Sequence, residues 1–218
     1  MTTGNDGGVS RRSFIKTMGV SAAGSAAASA VGAASREIEE DRRRSIDAVP
    51  SVGPKPINAT LRVNGRDLKV ECEPTDTLAD TLRWTLDLTG TKVVCDRGAC
   101  GACSVRLDGK LVASCMTLTV DALDAEIETI EGLAQGDELD PIQESFIRHD
   151  ALQCGYCTPG LVMACRDLLD HNPKPDTAAI RQALAGNICR CGTYTNIFNA
   201  VLDASGQPVP NDRNGGEG

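Results

Sequence analysis

Ten cysteines constrain the fold of this 218-residue chain more than any other feature, because eight of them fall into two groups of four. The first group is Cys95, Cys100, Cys103 and Cys115. The second group is Cys154, Cys157, Cys189 and Cys191. Ten cysteines in a chain of this length are too few for a small disulfide scaffold, which carries roughly 8–10%. Two domains of this small size would have little hydrophobic core and would need a covalent or metal cross-link for stability. The grouping therefore predicts two small domains, each built around four thiols.

The first group has the spacing C-x4-C-x2-C, and its fourth cysteine follows after eleven further residues. This is the spacing of plant-type [2Fe–2S] ferredoxins. Gly98 and Gly101 allow positive φ in the loop and let backbone N–H groups approach the sulfurs. A hairpin predicted at Asp108-Gly109 returns Cys115 to the loop. A structural zinc site is the alternative, but zinc usually takes two separate cysteine knuckles.

The second group consists of a Cys-Gly-Tyr-Cys pair and, 31 residues later, a Cys-Arg-Cys pair. Two predicted helices separate the pairs and return them to the same end in space, where two helix N-termini contribute partial positive charge. A four-thiolate cluster would be stabilised there, although zinc remains a serious competitor on spacing alone. A thioredoxin-like redox pair at Cys154 and Cys157 is a weaker alternative. It lacks a βαβ pattern and leaves the other two cysteines unexplained.

Local signals divide the rest of the chain into a strand-rich segment, residues 57–131, and a helical segment, residues 140–204. In the first, Asn64-Gly65 predicts a hairpin turn, and Thr77 with Asp80 predicts a capping box for a helix over residues 78–86. Trp84 on that helix is expected in the core. In the second, helix starts are predicted at Asp140-Pro141, Thr158-Pro159 and Asp176, with a fourth helix over residues 195–204.

The N-terminal residues 1–35 combine paired arginines, Arg11 and Arg12, with a weakly apolar stretch and a small-residue end. This pattern is typical of a twin-arginine export signal, and the Ala-rich stretch is too weak for stable membrane insertion. An Ala-rich surface helix is the alternative. Residues 36–56 are predicted to be a linker, and residues 205–218 a disordered tail. The net charge of −8 excludes a nucleic-acid-binding surface.

Four sequence runs in this order resemble the small iron–sulfur subunit of the xanthine oxidase family of molybdenum hydroxylases. The runs are GTK at residues 90–92, CDRGACGAC at 95–103, QCGYCTPG at 153–160 and GNICRCG at 186–192. The family usually has Thr-Gly-Tyr after the last cysteine, whereas this chain has Gly192-Thr193-Tyr194. That variant, together with the export signal, resembles the periplasmic aldehyde oxidoreductase and isoquinoline oxidoreductase branch.

The resemblance implies an α+β chain: an N-terminal β-grasp plant-type ferredoxin domain followed by a four-helix bundle, each with one [2Fe–2S] cluster. It implies a large partner subunit that holds a molybdenum-pterin cofactor, with Gln153 and Cys191 approaching the pterin. A helix-end cap is the alternative role for Gln153. Electrons would pass from molybdenum through the bundle cluster and the ferredoxin cluster to FAD in a further subunit or to a cytochrome.

No catalytic residue is expected in this chain, because the substrate chemistry belongs to the cofactor and the partner. His149 and His171 are expected on helix surfaces, and Cys72 and Cys165 as small buried hydrophobes. The predicted function is electron transfer in a periplasmic aldehyde-oxidising hydroxylase that is exported folded. A subunit of an N-heterocycle hydroxylase, a stand-alone two-cluster ferredoxin and a two-site zinc protein are the alternatives.

Overall fold

The computed structural model describes residues 55–210, together with the isolated residues Gly53 and Glu40. The predicted export signal lies outside the described residues, as do most of the predicted linker and residues 211–218 of the predicted tail. The described chain forms a five-stranded sheet followed by four helices. The predicted α+β class, with a ferredoxin-like part and a helical part, is confirmed. No helix among the described residues is long and apolar enough to cross a membrane.

Two tight hairpins build most of the sheet. Its strands are β1 (Ile57–Val63), β2 (Arg66–Cys72), β3 (Ser104–Leu107), β4 (Lys110–Ala113) and β5 (Glu126–Glu128). Asn64-Gly65 closes β1–β2 and Asp108-Gly109 closes β3–β4, and all four of these residues have positive φ. This is the geometry that favours Asn-Gly and Asp-Gly turns, so both predicted hairpins are confirmed.

The sheet order is β2-β1-β5-β3-β4. Strand β5 was not predicted, because three residues are too few to show an alternating pattern. It lies parallel to β1 and antiparallel to β3, and so joins the two hairpins into one sheet. Ile127 on β5 is fully buried beside Leu61 and Val105, which places the strand across the centre of the core.

The helix in the sheet part begins where the sequence predicts and then changes from α-helix to π-helix. Helix α1 (Leu78–Asp80) has Thr77 as its N-cap, and the Thr77 hydroxyl accepts a hydrogen bond from the Asp80 backbone N–H at 3.2 Å. A π-helical turn follows over Thr81–Thr85. The expectation that Trp84 lies in the core is wrong, because its side chain is 75% exposed. Leu78, Ala79 and Leu82 fill the buried face instead.

The helical part contains four helices, as predicted. They are α2 (Pro141–Arg148), α3 (Thr158–His171), α4 (Thr177–Ala183) and α5 (Tyr194–Ala204). Asp140 caps α2 with a full capping box, and Asp176 caps α4 by accepting the Ala179 N–H at 2.7 Å. The predicted N-cap of α3, Thr158, is wrong by one residue, because Cys157 occupies that position without a side-chain cap.

The two histidines lie in different environments. His171 is exposed as expected, but His149 is not on the surface: only 9% of its side chain is exposed, and its Nε2 lies 3.2 Å from Asp203 Oδ2. The reason is that α2 packs on α5, the helix that carries Asp203. The Asp203 carboxylate also accepts a hydrogen bond from the Ser145 hydroxyl at 2.9 Å.

The described part of the predicted tail is docked rather than disordered. Gln207 donates from its backbone N–H to the Leu202 carbonyl at 2.9 Å and from Nε2 to the Pro175 carbonyl at 3.0 Å. Val209 packs against the helical core. Residues 205–210 are therefore tied to α5 and to the α3–α4 connection by contacts that composition does not reveal.

The sheet and the helices are joined by an ion-pair network around Arg106 on β3. Its guanidinium lies 2.8 Å from Asp170 and 3.5 Å from Asp167 on α3, and 3.0 Å from Glu128 on β5. Only 13% of the Arg106 side chain is exposed. A charged group that is so little exposed to solvent needs nearby opposite charges. Arg106 therefore holds α3 against the sheet.

Candidate metal centres

The first cysteine group is assembled by one loop and one hairpin. Cys95, Cys100 and Cys103 lie on the loop that precedes β3, and Cys115 lies in the helical turn Ser114–Met116 that follows β4. The β3–β4 hairpin returns the chain as predicted, and the Ser114 hydroxyl donates to the Cys103 carbonyl at 2.7 Å. Cys115 is thereby held beside the loop although it is distant in sequence.

Backbone N–H groups point at two sulfurs of this group. Gly98 N–H donates to Cys115 Sγ and Ala99 N–H donates to Cys95 Sγ, both at 3.3 Å. Gly98 has φ of +68°, a conformation that costs glycine little and other residues more. Hydrogen bonds of this kind stabilise negative charge on sulfur, as a cluster of thiolates requires.

The thiols of the first group form two hydrogen-bonded pairs, Cys95 with Cys100 and Cys103 with Cys115. The Arg97 backbone N–H, followed by the Cys100 thiol, lowers the pKa of Cys95 to about 7. Burial raises the pKa of Cys115 to about 11, and the Cys103 thiol adds to this. The charge of Cys95 also acts on Cys115, so the two pairs belong to one site.

The second cysteine group lies where two helices begin. Cys154 and Cys157 immediately precede α3, with Cys157 at its N-cap position. Cys189 and Cys191 lie in the connection that leads to α5. The N-terminal ends of both helices therefore lie at this group, and their partial positive charges favour thiolates there. This matches the arrangement predicted from the sequence.

The second group is also arranged as two pairs, Cys154 with Cys191 and Cys157 with Cys189. The Tyr156 backbone N–H, followed by the Cys191 thiol, lowers the pKa of Cys154. Burial raises the pKa of Cys157 to about 12, and the adjacent Cys189 adds to this.

The remaining two thiols of this group have opposite shifts. Burial opposes ionisation of Cys189, but the Thr193 hydroxyl and backbone N–H outweigh it and lower its pKa to about 7. The Cys154 backbone favours the Cys191 thiolate, yet the Cys154 thiol and its charge leave the pKa of Cys191 above its ordinary value. Each pair in this group thus contains one thiol with a lowered pKa and one with a raised pKa.

The paired arrangement of the thiols matches the ligand set of a binuclear cluster. A [2Fe–2S] cluster distributes four thiolates over two irons. Two thiol pairs per group, with N–H groups directed at the sulfurs, fit such a cluster.

We expect about four iron and about four acid-labile sulfide per chain, because four cysteines hold each [2Fe–2S] cluster. Reduction should give two distinguishable EPR signals, since the first group is mostly buried and the second is exposed at its Cys154 and Cys191 end. Metal analysis, sulfide assay and low-temperature EPR of the purified protein measure this. Stoichiometric zinc in place of iron would contradict it.

Two residues singled out for a pterin contact lie at the exposed end of the second group. Gln153 and Cys191 are both exposed. Gln153 lies in the bend between α2 and α3, four residues before the Cys157 N-cap, so it does not hold the capping position of α3. Their exposure leaves both side chains available to a partner.

Sequence reasoning missed three residues that organise the second group. The Thr193 hydroxyl lies 3.3 Å from Cys189 Sγ. The Tyr194 hydroxyl accepts the Cys189 N–H at 2.8 Å and donates to the Asn187 carbonyl at 3.0 Å. Asn187 is buried and bonds to the first loop. The only sequence signal of these roles was that polar residues flank the Cys-Arg-Cys pair on both sides.

Two family profiles match the described chain in succession. Residues 61–134 match a family described as a 2Fe-2S iron-sulfur cluster binding domain. Residues 129–202 match one described as a [2Fe-2S] binding domain. Each matched range contains one complete cysteine group, the first in the sheet part and the second in the helical part.

Curated relatives and solved structures agree with these profiles. The chain is 46% identical over 151 residues to the nicotine 6-hydroxylase small subunit of Paenarthrobacter nicotinovorans, covering 69% of this chain and 91% of that protein. It is 44% identical over 177 residues to an aldehyde oxidoreductase iron-sulfur-binding subunit of Escherichia coli K12, covering 73% and 77%.

Among solved structures, a chain of quinoline 2-oxidoreductase from Pseudomonas putida 86 superposes with a TM-score of 0.67 at 42% identity, covering 69% of this chain and 93% of that one. The aldehyde oxidoreductase of Desulfovibrio gigas gives a TM-score of 0.65 at 41% identity. The match covers 68% of this chain but only 17% of that much longer one. The same fold therefore occurs both as a separate chain and as part of a larger one.

Proposed function

The chain belongs to the small iron–sulfur subunits of the molybdenum hydroxylase family, and from this we propose that it conducts electrons from a large molybdenum-cofactor subunit to an acceptor. The observation that carries this proposal is the presence of two four-thiol sites within one packed body. They touch directly, since the Ile188 N–H, next to Cys189, donates to the Cys100 carbonyl at 2.9 Å.

The residues of this chain hold, orient and electrostatically support the two cofactors. The first site would be held by Cys95, Cys100, Cys103 and Cys115, and the second by Cys154, Cys157, Cys189 and Cys191. Bound [2Fe–2S] clusters would each carry one electron at a time. Such centres are needed because the two electrons removed from a substrate must leave the cofactor singly. The N–H groups of Gly98 and Ala99 and the N-termini of α3 and α5 favour the negative charge of these sites.

The exposed end of the second site faces the large subunit in this proposal. Exposed Cys154 and Cys191 place the second thiol group at the surface, whereas Cys100, Cys103 and Cys115 of the first group are buried. Gln153 and Cys191 would approach the pterin there. The acceptor, FAD in another subunit or a cytochrome, would be reached from the first site.

An aldehyde, oxidised to a carboxylic acid, is the proposed substrate of the complex. Relatives named as aldehyde oxidoreductases support this. An N-heterocycle is the second candidate, because the nicotine 6-hydroxylase small subunit is equally similar. Tagging this chain and recovering a large molybdenum-containing chain with it would test the subunit assignment. Assays of that complex with aldehydes and N-heterocycles would separate the two substrates.

A stand-alone two-cluster ferredoxin is the competing function. It predicts that the tagged chain is recovered alone, with iron and sulfide but without molybdenum. Recovery of a free, fully loaded chain from cells that also produce the hydroxylase would favour the carrier over the subunit. Relatives named as small subunits of complexes support the subunit assignment.

We expect this chain to be exported folded to the periplasm by the twin-arginine route. Changing Arg11 and Arg12 to Lys should remove the protein, and any bound large subunit, from the periplasmic fraction, because the paired arginines are the recognised feature of this signal. Changing Arg42 and Arg43 to Lys is the matched control, since it makes the same charge-conserving change in another arginine run. Cell fractionation and immunoblotting measure the outcome. Equal export of both variants would show that Arg11 and Arg12 are incidental.

A further inference from the structure

The two cysteine sites meet at a junction built around the Asn187 side chain. Asn187 is only 6% exposed, although its side chain is polar. Its Nδ2 donates to the Gly101 carbonyl at 3.1 Å and to the Gly160 carbonyl at 3.3 Å. Gly101 lies between Cys100 and Cys103 of the first site, and Gly160 lies three residues after Cys157 of the second. One amide thus ties a segment of each site to the other.

The absence of side chains at the two glycines lets the segments approach closely. A Cβ on Gly160 would overlap the Gly101 carbonyl oxygen and would lie 3.0 Å from the Ala102 carbonyl carbon. A Cβ on Gly101 would lie 2.5 Å from Asn187 Nδ2, and Gly101 also has φ of +67°. The junction therefore has no room for even one added methyl group.

The backbone of Asn187 is itself held by two hydrogen bonds within the helical part, and the next residue bonds to the first site. The Asn187 N–H donates to the Leu184 carbonyl at 2.9 Å, and the Asn187 carbonyl accepts the Tyr194 hydroxyl at 3.0 Å. The next residue, Ile188, donates its N–H to the Cys100 carbonyl. A buried polar side chain with well-directed partners is costly to misplace, so its position is well defined.

We propose that Asn187 is a positioning residue that sets the separation of the two iron–sulfur sites. The Gly101 carbonyl is already satisfied by Ser104, whose N–H and hydroxyl donate to it at 3.2 and 2.8 Å. The bond from Asn187 is therefore not needed to satisfy that carbonyl, and its role is to tether the two segments. This inference rests on the proposed function, because the separation of the sites matters only if both hold clusters.

The test compares Asn187→Leu with Asn196→Leu in the complete complex. Leucine has the same branched side-chain skeleton as asparagine but donates no hydrogen bond, so the tether is lost. Asn196 is the matched control, because its Nδ2 donates to the Asp150 carbonyl at 3.0 Å on an exposed surface of the helical part. Both variants should contain iron and sulfide at the level of the unaltered chain.

The measurement is the magnetic splitting that each reduced cluster imposes on the EPR signal of the other, which falls with the cube of their separation. We expect a smaller splitting in Asn187→Leu, with g-values of both signals retained, and an unchanged splitting in Asn196→Leu. Gly160→Ala drives the segments apart sterically and should also reduce the splitting. Should Asn187→Leu not fold, Asn187→Ser serves instead, because its hydroxyl is too short to reach both carbonyls.

The outcomes separate this inference from the proposed function. An unaltered chain that gives fewer than two cluster signals would overturn the proposed function. Two signals with the same splitting in the unaltered chain, the Asn187 variant and Gly160→Ala would overturn the positioning role alone. Two signals without mutual splitting in the unaltered chain would also overturn it, because the sites would then not be held close together.

Discussion

Cys115→Ser is expected to stop turnover with the physiological acceptor while substrate still reduces the molybdenum centre of the complex. Cys115 is 5% exposed, and its sulfur accepts the Gly98 N–H at 3.3 Å. A serine hydroxyl does not ionise near neutral pH and is a poor ligand for iron, so the first site should lose its cluster. The iron content should fall to about two per chain, because the four cysteines of the second site remain.

Rapid mixing of the Cys115→Ser complex with substrate, followed by EPR, measures reduction of molybdenum and of the second site. Steady-state turnover with the acceptor is measured in parallel. Cys72→Ser is the matched control, because Cys72 is buried in the same sheet but belongs to neither group. It should cost about 1–3 kcal/mol of folding stability, as a buried unpaired hydroxyl does, and should keep both clusters. Normal turnover in Cys115→Ser would mean that the two sites do not act in series.

Cys154→Ser is expected to have the larger effect, because it should remove the route out of the molybdenum centre and also weaken assembly. Cys154 is exposed and pairs with Cys191, next to Gln153, on the surface proposed to face the large subunit. Loss of iron from this site would release the segments that precede α3 and α5 and so disorder that surface. Small domains of this size depend strongly on a structural metal site for their stability.

Co-purification and size-exclusion chromatography measure assembly of the Cys154→Ser variant with the large subunit. In whatever complex forms, molybdenum should be reduced by substrate while the first site stays oxidised. Cys165→Ser is the matched control, since Cys165 is fully buried in the helical core and outside both groups. Wild-type recovery of complex with reduction of the first site would show that Cys154 is not on the route.

Interactions between residues close in sequence were well predicted. Asn64-Gly65 and Asp108-Gly109 closed hairpins because positive φ at consecutive turn residues favours Asn, Asp and Gly whatever surrounds them. Asp140 and Asp176 capped helices for a similar reason, since a cap bonds within its own first turn.

Features that depend on distant partners were missed or wrong. Strand β5 forms because the edges of β1 and β3 are both free to pair with a strand between them. Its three residues alone do not predict a strand. Trp84 was expected in the core but is exposed, and His149 was expected on the surface but lies against Asp203. For β5 and His149 the deciding contact comes from another part of the chain, which local sequence patterns do not reveal.

The two cysteine sites show the same difference between features set by local sequence and features set by distant contacts. The spacing of the cysteines indicated which thiols form each group, because a loop and a tight hairpin connect the first four and two helix starts carry the other four. Tertiary packing decided how the groups relate: which thiols pair, which end is exposed, and how Asn187, Gly101 and Gly160 join the two sites. Such contacts form between segments distant in sequence, where burial and steric fit, rather than local preference, select the arrangement.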